Sequence, residues 1–413
     1  MTISPPLRVC GVICEYNPFH KGHAYHLQMA RELSGAQVMV CVMSGPFTQR
    51  GEAAVISPRL RAEMALSCGA DVVVELPAAY AVREAEFFAL GGVSVLEAMG
   101  ADCISFGCEN EDLTGLAHAA LLLEKPTEAF QAVLRSGLDR GQSHAKAQGS
   151  ALQSCLQHAQ GGTVSAPNNV LAICYLRAML RIGSAMTPVP VRRLGAYHDT
   201  GWQEGFASAT AAREAIRRGD WHQIERMIPE AALPLLLKAL EEGAVHRPEA
   251  LDILLRERLR RLDEEELRSY PNVGEGLEHR LLRLSPMHVS RRSLLAALKT
   301  KRYTHARLNR LLTHILLEMT AGCLAQCNPR SFRLLGFRQS ARPYLNSLPD
   351  GLLYTKAARR EKDASFLLDM AAYDLWSMGA GLPLGEGYRQ QVAKHNALCE
   401  TTLKNHTFSG SNW

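Results

Sequence analysis

The apolar run Val9 to Ile13 leads almost directly into Asn17-Pro18-Phe19-His20-Lys21-Gly22-His23, and Leu27, Ala30 and Leu33 then recur at three-residue spacing. This stretch constrains the fold more than any other. Five apolar residues with a β-branched bias predict a buried strand, the spacing after them predicts a helix, and the residues between them form a tight turn. A strand that passes straight into a helix leaves the first backbone N–H groups of that helix unpaired, at its partly positive end. Such an end is suited to an anion. Gly22 has no Cβ, so a phosphate oxygen can approach the chain closely. A histidine near a turn is ordinarily a polar surface residue. Two of them, three residues apart around a glycine and directly after a strand, describe a phosphate-binding turn instead.

The first hundred residues repeat this alternation. Strands are expected at Val38–Met43, Val72–Leu76 and Cys103–Phe106, and helices at His23–Leu33, Pro58–Cys68 and Ala85–Met99. Strands that are apolar throughout and separated by helices predict an α/β fold, a Rossmann-like parallel sheet covered on both faces. In such sheets ligands bind beyond the carboxyl ends of the strands. The first strand ends in the histidine turn, the second in Met43-Ser44-Gly45-Pro46-Phe47-Thr48-Gln49-Arg50-Gly51, and the fourth in Ser105-Phe106-Gly107. Neither the P-loop pattern nor the dinucleotide pattern G-x-G-x-x-G occurs.

Residues 110 to 165 carry few signals. Pro167-Asn168-Asn169 then opens a helix, where the amides can serve as caps or as contacts to a sugar or base. Val189 to Leu194 reads as a further strand, carrying Arg192 and Arg193. Phe206 to Arg213 opens another helix with small hydroxyl residues and an arginine one turn later, either a second anion cradle or an ordinary cap. With 413 residues there is room for two or three domains, and a net charge of +5 permits an acidic partner without demanding one. Eleven cysteines without a C-x-x-C pair are expected to be plain thiols in a reducing cytosol. No signal peptide opens the chain and no apolar run approaches a membrane span, so a cytoplasmic protein without a membrane partner is expected.

From Trp221 onward the pattern is almost wholly helical. Nine Lys and Arg fall between Arg280 and Arg310, with no Asp or Glu between Leu281 and Arg310. A charge run is usually a solvated face. One this pure, with Tyr303 inside it, is better explained by phosphate contacts, and Lys299, Lys301, Arg302, Arg307 and Arg310 are the candidate nucleic-acid contacts. The expected organisation is a Rossmann-like α/β domain over residues 1–220, followed by a mostly α-helical, basic domain over 221–413 that the charge run marks as a nucleic-acid-binding domain.

The histidine turn resembles the HxGH signature of the nucleotidyltransferase superfamily, which includes the class I aminoacyl-tRNA synthetases. Over roughly residues 8 to 345 the chain resembles, more narrowly, the tRNA(Met) cytidine acetate ligase family. The match rests on GVICEYNPFHKGHAYH from Gly11 to His26, Met43-Ser44-Gly45 with Phe47-Thr48-Gln49-Arg50-Gly51-Glu52, and Gly69-Ala70-Asp71 leading into Val74-Glu75-Leu76-Pro77. It extends through Ile104-Ser105-Phe106-Gly107, Pro167-Asn168-Asn169, Gly195-Ala196-Tyr197-His198-Asp199, Ala207-Ser208-Ala209-Thr210 and Lys299-Thr300-Lys301-Arg302-Tyr303.

The resemblance implies an ATP-dependent ligase that forms acetyl-adenylate from acetate and releases pyrophosphate. It would then acetylate the wobble cytidine of elongator tRNA(Met), giving N4-acetylcytidine. It implies an ATP site lined by Ile13, Cys14, Glu15, Tyr16, Asn17, Pro18, Phe19, His20, Lys21, Gly22, His23, Ala24, Tyr25 and His26, with Gly107, Asn169, Arg192 and the adjacent Arg193 at the nucleotide. His20, His23 and Arg213 are the candidate catalytic residues. Mg²⁺ is expected to be held through phosphates and water rather than by protein ligands, and no obligate protein partner is inferred. Three positions depart from the family pattern: Pro46 where a polar residue is expected, Cys174 where an acid is expected, and Ala212 in place of an isoleucine. Two rival readings are a small-molecule adenylyltransferase, which would not need the long basic helical part, and a catalytically idle RNA-binding protein, which would not need an intact His20, Gly22 and His23.

Overall fold

The computed structural model describes residues 7–109, 113–142, 144–156, 167–193, 208–300, 303–355 and 363–385. Its strands are β1 (Val9–Cys14), β2 (Val38–Ser44), β3 (Val72–Leu76), β4 (Cys103–Cys108), β5 (Thr187–Arg192), β6 (Phe332–Phe337) and β7 (Leu353–Tyr354). They form a seven-stranded sheet in the order β5-β4-β1-β2-β3-β6-β7. Strands β1 to β5 are parallel, and β6 runs antiparallel to β3. The five parallel strands lie where the apolar runs predict them.

Every residue of β1, β2 and β3 is buried, because helices cover both faces. Alternation along the strands divides the side chains between two cores. Ile13, Val40, Val42 and Val74 meet Phe88, Val93 and Leu96 of one helix, α3 (Ala85–Ala98), and Ile173 and Tyr175 of another, α4 (Pro167–Ile182). On the opposite face Cys10, Val12, Cys14, Met39, Cys41 and Met43 meet Leu27 and Ala30 of α1 (Lys21–Ser34) and Ala62, Met64 and Ala65 of α2 (Pro58–Ser67). Four of the cysteines, Cys10, Cys14, Cys41 and Cys103, therefore act as small apolar residues on this face. From β1 the chain steps to β2 and β3 on one side, then crosses to β4 and β5 on the other. The reversal between β1 and β4 opens a crevice at their carboxyl ends.

The helical part has a core of its own, in which Leu255, Leu259 and Leu267 pack with leucines of α6 (Leu277–Leu284), α7 (Arg291–Leu298) and α8 (His305–Leu316). Beyond it the chain returns to the sheet. Phe332 and Leu334 of β6 join the core that contains β1 and β3, as do Leu368 and Ala372 of α9 (Ala364–Gly379). Asp369 accepts the Ala78 N–H at 2.7 Å, and Trp376 Nε1 donates to the Ala54 carbonyl at 2.7 Å. Residues beyond 220 thus contribute both to a core of their own and to the cores on the sheet. No helix among the described residues is long and apolar enough to cross a membrane.

Helix α8 docks on the loop after β2. Asn309 Nδ2 donates to the Arg50 carbonyl at 2.8 Å, and Thr313 Oγ1 to the Gly51 carbonyl at 2.6 Å. Arg291 Nη2 reaches Gly51 O at 3.0 Å and Asn309 O at 2.6 Å. Burial pushes the Arg291 guanidinium down to about 10, and these bonds keep it satisfied where it has left water. Gly51 has φ +74°, and a Cβ there would lie 2.7 Å from the Arg310 Cα. Gly51→Ala is expected to lower the unfolding free energy by about 1–3 kcal/mol, through overpacking against backbone that cannot rotate away. Urea unfolding checks this, and wild-type stability would mean that α8 can shift at no cost.

Candidate active site

Strand β1 delivers the chain to the crevice, and four residues then shape the turn. Tyr16 takes φ +47°, and the Asn17-Pro18 peptide is cis. Asn17 Oδ1 accepts the Val55 N–H at 2.8 Å, and the Asn17 carbonyl accepts from Arg213 Nη1 at 2.8 Å. Tyr16 and Phe19 are buried beneath the turn, their rings 4.8 and 5.6 Å from that of His23. These groups support the turn, and Ile13 and Cys14 are likewise part of the core.

His20 is the N-cap of α1, and the cap is reciprocal. Its Nδ1 accepts the Gly22 N–H at 3.1 Å, while His23 Nδ1 accepts the His20 N–H at 3.3 Å. The two rings stack with centroids 3.6 Å apart. His26, one turn further on, places Nε2 3.2 Å from the Ser105 hydroxyl of β4. Burial holds His20 down to about 3 and His26 to about 4, helped in each case by the Arg193 charge and for His20 also by Arg213. His23 is lowered too, chiefly by burial and then by His20, His26 and Arg193. All three are therefore neutral at pH 7. A neutral imidazole that accepts at Nδ1 carries its proton on Nε2. The cap thus makes Nε2–H the remaining donor of both His20 and His23. Lys21, Gly22, Ala24 and Tyr25 lie half-buried around them.

The other side of the crevice comes from β4 and β5. Arg193 follows β5, bonds Asn168 Oδ1 at 2.9 Å and passes over Gly107, where a Cβ would lie 3.3 Å from its Cγ. Arg192 and Arg193 are both exposed, and it is the Arg193 charge that acts on His20, His23 and His26. Asn169 is fully buried, and its Oδ1 accepts the Glu109 N–H at 3.0 Å. The Glu109 carboxylate in turn accepts the backbone N–H groups of Asn168 and Asn169, at 3.3 and 3.1 Å. Glu109, not an asparagine, thereby closes the start of α4, as an acid at a helix N-terminus should. The sequence reading missed it because the two partners lie far apart in the chain.

Arg213 belongs to α5 (Ala209–Arg218), which Ser208 caps by accepting the Ala211 N–H at 3.2 Å. Besides Asn17 it bonds Thr210 Oγ1 at 3.2 Å and lies 3.5 Å from Glu52. Glu15 is a further residue of consequence. Burial pushes its carboxyl up, opposed by the Gln49 N–H, which it accepts at 2.6 Å, and by the Arg213 and Arg50 charges. Buried Arg61 donates to the carbonyls of Glu15 and Gly45 and so ties β1 to β2. The three departures from the family pattern are tolerated by packing. Ala212 is buried, Cys174 is a core thiol that burial pushes up to about 11, and the Pro46 carbonyl accepts the Ala54 N–H at 2.8 Å.

The candidate nucleic-acid contacts are not gathered in this crevice. Lys299 is exposed beyond α7. Arg307 donates to the Asn272 carbonyl at 2.7 Å, and Arg310 lies 3.9 Å from Glu84. Lys301 and Arg302 lie outside the described residues, as do Gly195 to Asp199.

The HIGH nucleotidyl transferase family profile matches residues 7–386. A tRNA(Met) cytidine acetate ligase of Kosmotoga olearia is 36% identical over 355 residues, covering 83% of each chain. One from Geobacillus sp. is 36% identical over 380 residues, covering 87% of this chain and 94% of the relative. The chain belongs to the tRNA(Met) cytidine acetate ligase family. Members of that family are ligases, and this chain is an enzyme of that class. The crystal structure of Thermotoga maritima TmcAL bound with alpha-thio ATP matches with TM-score 0.83 at 31% identity, over 90% of this chain and 95% of that one. The apo form of the same protein matches with TM-score 0.86, over 94% and 99%.

The buried imidazoles of this ligase-family turn link stability to pH. An unfolded histidine titrates near pH 6.5, so above that pH neither state gains a proton. Below it the unfolded chain takes up protons that folded His20, His23 and His26 refuse, and stability falls as pH falls toward the folded values of about 3 for His20 and about 4 for His26, with His23 likewise lowered. The expected slope is up to about 1.4 kcal/mol per pH unit for each such histidine. His20→Asn, which keeps a capping side chain, should remove about one proton from that slope. Urea unfolding between pH 7 and 5 measures it, and an unchanged slope would show that His20 takes up its proton in the folded state.

Proposed function

We propose that this protein activates acetate with ATP and transfers the acetyl group to the wobble cytidine of elongator tRNA(Met). The observation that carries this reading is the reciprocal histidine cap, with two neutral imidazoles at the N-terminus of α1 whose remaining donors are Nε2–H. A nucleoside triphosphate fits that end of the sheet, and the relative of known structure that matches 90% of this chain was crystallised with an ATP analogue. The names of the relatives supply the other substrates, cytidine in tRNA(Met) and acetate. A cytoplasmic location accords with a tRNA substrate.

In the first step a carboxylate oxygen of acetate bonds to the α-phosphorus, the bond from that phosphorus to the bridging oxygen breaks, and pyrophosphate leaves. Negative charge grows on the phosphoryl oxygens, and fixed donors that need no reorganisation stabilise it. His20 and His23 Nε2–H and the α1 N-terminus serve at the α-phosphate, while Arg193 and Lys21 can neutralise the departing phosphates. Arg213 acts through the Asn17 carbonyl and holds the turn in place. Neutral imidazoles suit this task, since an imidazolium would lose the Nδ1 acceptor that makes the cap. In the second step the exocyclic amine of the cytidine attacks the acetyl carbon, AMP departs, and the amine loses a proton. The base must leave its stack to reach that carbon.

Mg²⁺ fits here as a companion of the nucleotide. The groups at the turn are imidazoles, amides and guanidinia, which pair with phosphate oxygens rather than with a hard cation, and the carboxylate there, Glu15, is engaged by the Gln49 N–H. When bound it supplies charge neutralisation on the triphosphate. Among the described residues, a three-ligand cluster of Glu264, Glu278 and His279 lies away from this turn in the helical part, and Arg268 already pairs with both of its carboxylates.

His23→Ala removes one of these donors and is expected to slow acetate-dependent exchange of pyrophosphate into ATP by roughly 10²–10³-fold. Affinity for tRNA should be nearly unchanged. Exchange at the wild-type rate would refute the role assigned to His23.

A further inference from the structure

Resting on the tRNA reading above, we propose that the groove between α6 and the start of α8 binds the phosphodiester backbone of the tRNA, with Arg283 and Lys299 as its principal cations. The groove has a volume of about 380 Å³, and its lining includes His279, Arg280, Arg283, Thr300 and Tyr303.

The argument turns on which cations the fold leaves available. Four arginines of the basic run from Arg280 to Arg310 are spent on the protein itself. Arg291 holds the Gly51 and Asn309 carbonyls, and Arg280 Nη2 donates to Ala297 O at 2.6 Å. Arg307 binds the Asn272 carbonyl and lies 5.2 Å over the Tyr303 ring, and the Arg310 side chain is only 12% exposed beside Glu84. Of the arginines just upstream, Arg258 is matched with Glu318 at 3.2 Å and Arg268 with Glu264 and Glu278. By contrast Arg283, Arg292 and Lys299 are exposed, and among the described residues none of the three has an ion pair or a side-chain hydrogen bond. Arg283 lines the groove, and Lys299 adjoins Thr300 in its wall. The acid in the lining is Glu275, whose carbonyl accepts the Tyr303 hydroxyl at 3.1 Å.

Two further features select RNA over a free phosphate ion. Met287 and Val289, just past the end of α6, stand 71% and 70% exposed, an apolar step a few residues after Arg283 on which the face of a ribose or an unstacked base can rest. Tyr303 lies immediately before α8, and about two turns along that helix Asn309 and Thr313 hold the Arg50–Gly51 loop. Gln49, the next residue back, bonds Glu15 at the active-site turn. A strand held in the groove is therefore fixed to the same rigid helix that braces the loop beside the histidines.

The test is binding of an unmodified elongator tRNA(Met) transcript to the full-length protein, measured across a series of potassium chloride concentrations. Arg283→Ala with Lys299→Ala should weaken binding roughly tenfold and make the plot of log affinity against log salt shallower by about one unit per lost phosphate contact. Arg283→Lys alone should keep most of the affinity, because a point charge still pairs with phosphate. The variants should melt with the wild type, since neither side chain is bonded within the fold. A double variant that binds with wild-type affinity and slope would overturn the groove while leaving the ligase reading standing. Failure of the wild-type protein to bind tRNA at all would overturn the ligase reading itself.

Discussion

The histidine cap at the start of α1 is the interaction on which the rest of the site depends. A helix that begins at the edge of a parallel sheet exposes backbone N–H groups that must find acceptors. Here His20 Nδ1 takes one of them, and His23 Nδ1 takes the N–H of the cap residue itself. Acceptance at Nδ1 requires neutral rings, and burial keeps them neutral. The same arrangement that satisfies the helix end therefore prepares two Nε2–H donors for an anion. Structure and chemistry draw on the same four ring nitrogens.

Such a cap works only if the turn is held from outside. Arg213 on the Asn17 carbonyl, Val55 on the Asn17 side chain, and Tyr16 and Phe19 against His23 provide that support. A comparable tie operates across the crevice, where Glu109 at the end of β4 caps α4 and Asn169 returns a bond to Glu109. Arg193, anchored on Asn168, brings positive charge to this pocket without ionising the histidines. The two imidazoles and Arg193 thus keep N–H groups that can donate to negative oxygen.

The loop after β2 joins this site to the helical part. Its Gln49 N–H meets Glu15, and its Arg50 and Gly51 carbonyls meet Asn309, Thr313 and Arg291. Basic residues in this part of the chain serve two different ends. Arg291 and Arg310 face inward and build the joint between the cores, while Arg283, Arg292 and Lys299 face water. Charge counting along the chain does not separate these classes, because a guanidinium on a helix can reach either side.

Local information sufficed for the five parallel strands, the helices between them and the histidine turn. Apolar runs, three-residue spacing and the Asn-Pro-Phe-His-Lys-Gly-His order are properties of adjacent residues, and each dictates its own backbone. The placement of ligand chemistry at the carboxyl ends of the strands also followed, because parallel connectivity leaves little choice. Tertiary structure alone decided that residues 332–337 return to pair with β3, that Glu109 rather than an asparagine caps α4, and that the charge acting on the histidines is that of Arg193 rather than Arg192. Each of these joins groups distant in sequence, or turns on which face of a strand end is covered. Such pairings depend on packing of the whole chain, and no pattern within one segment encodes them.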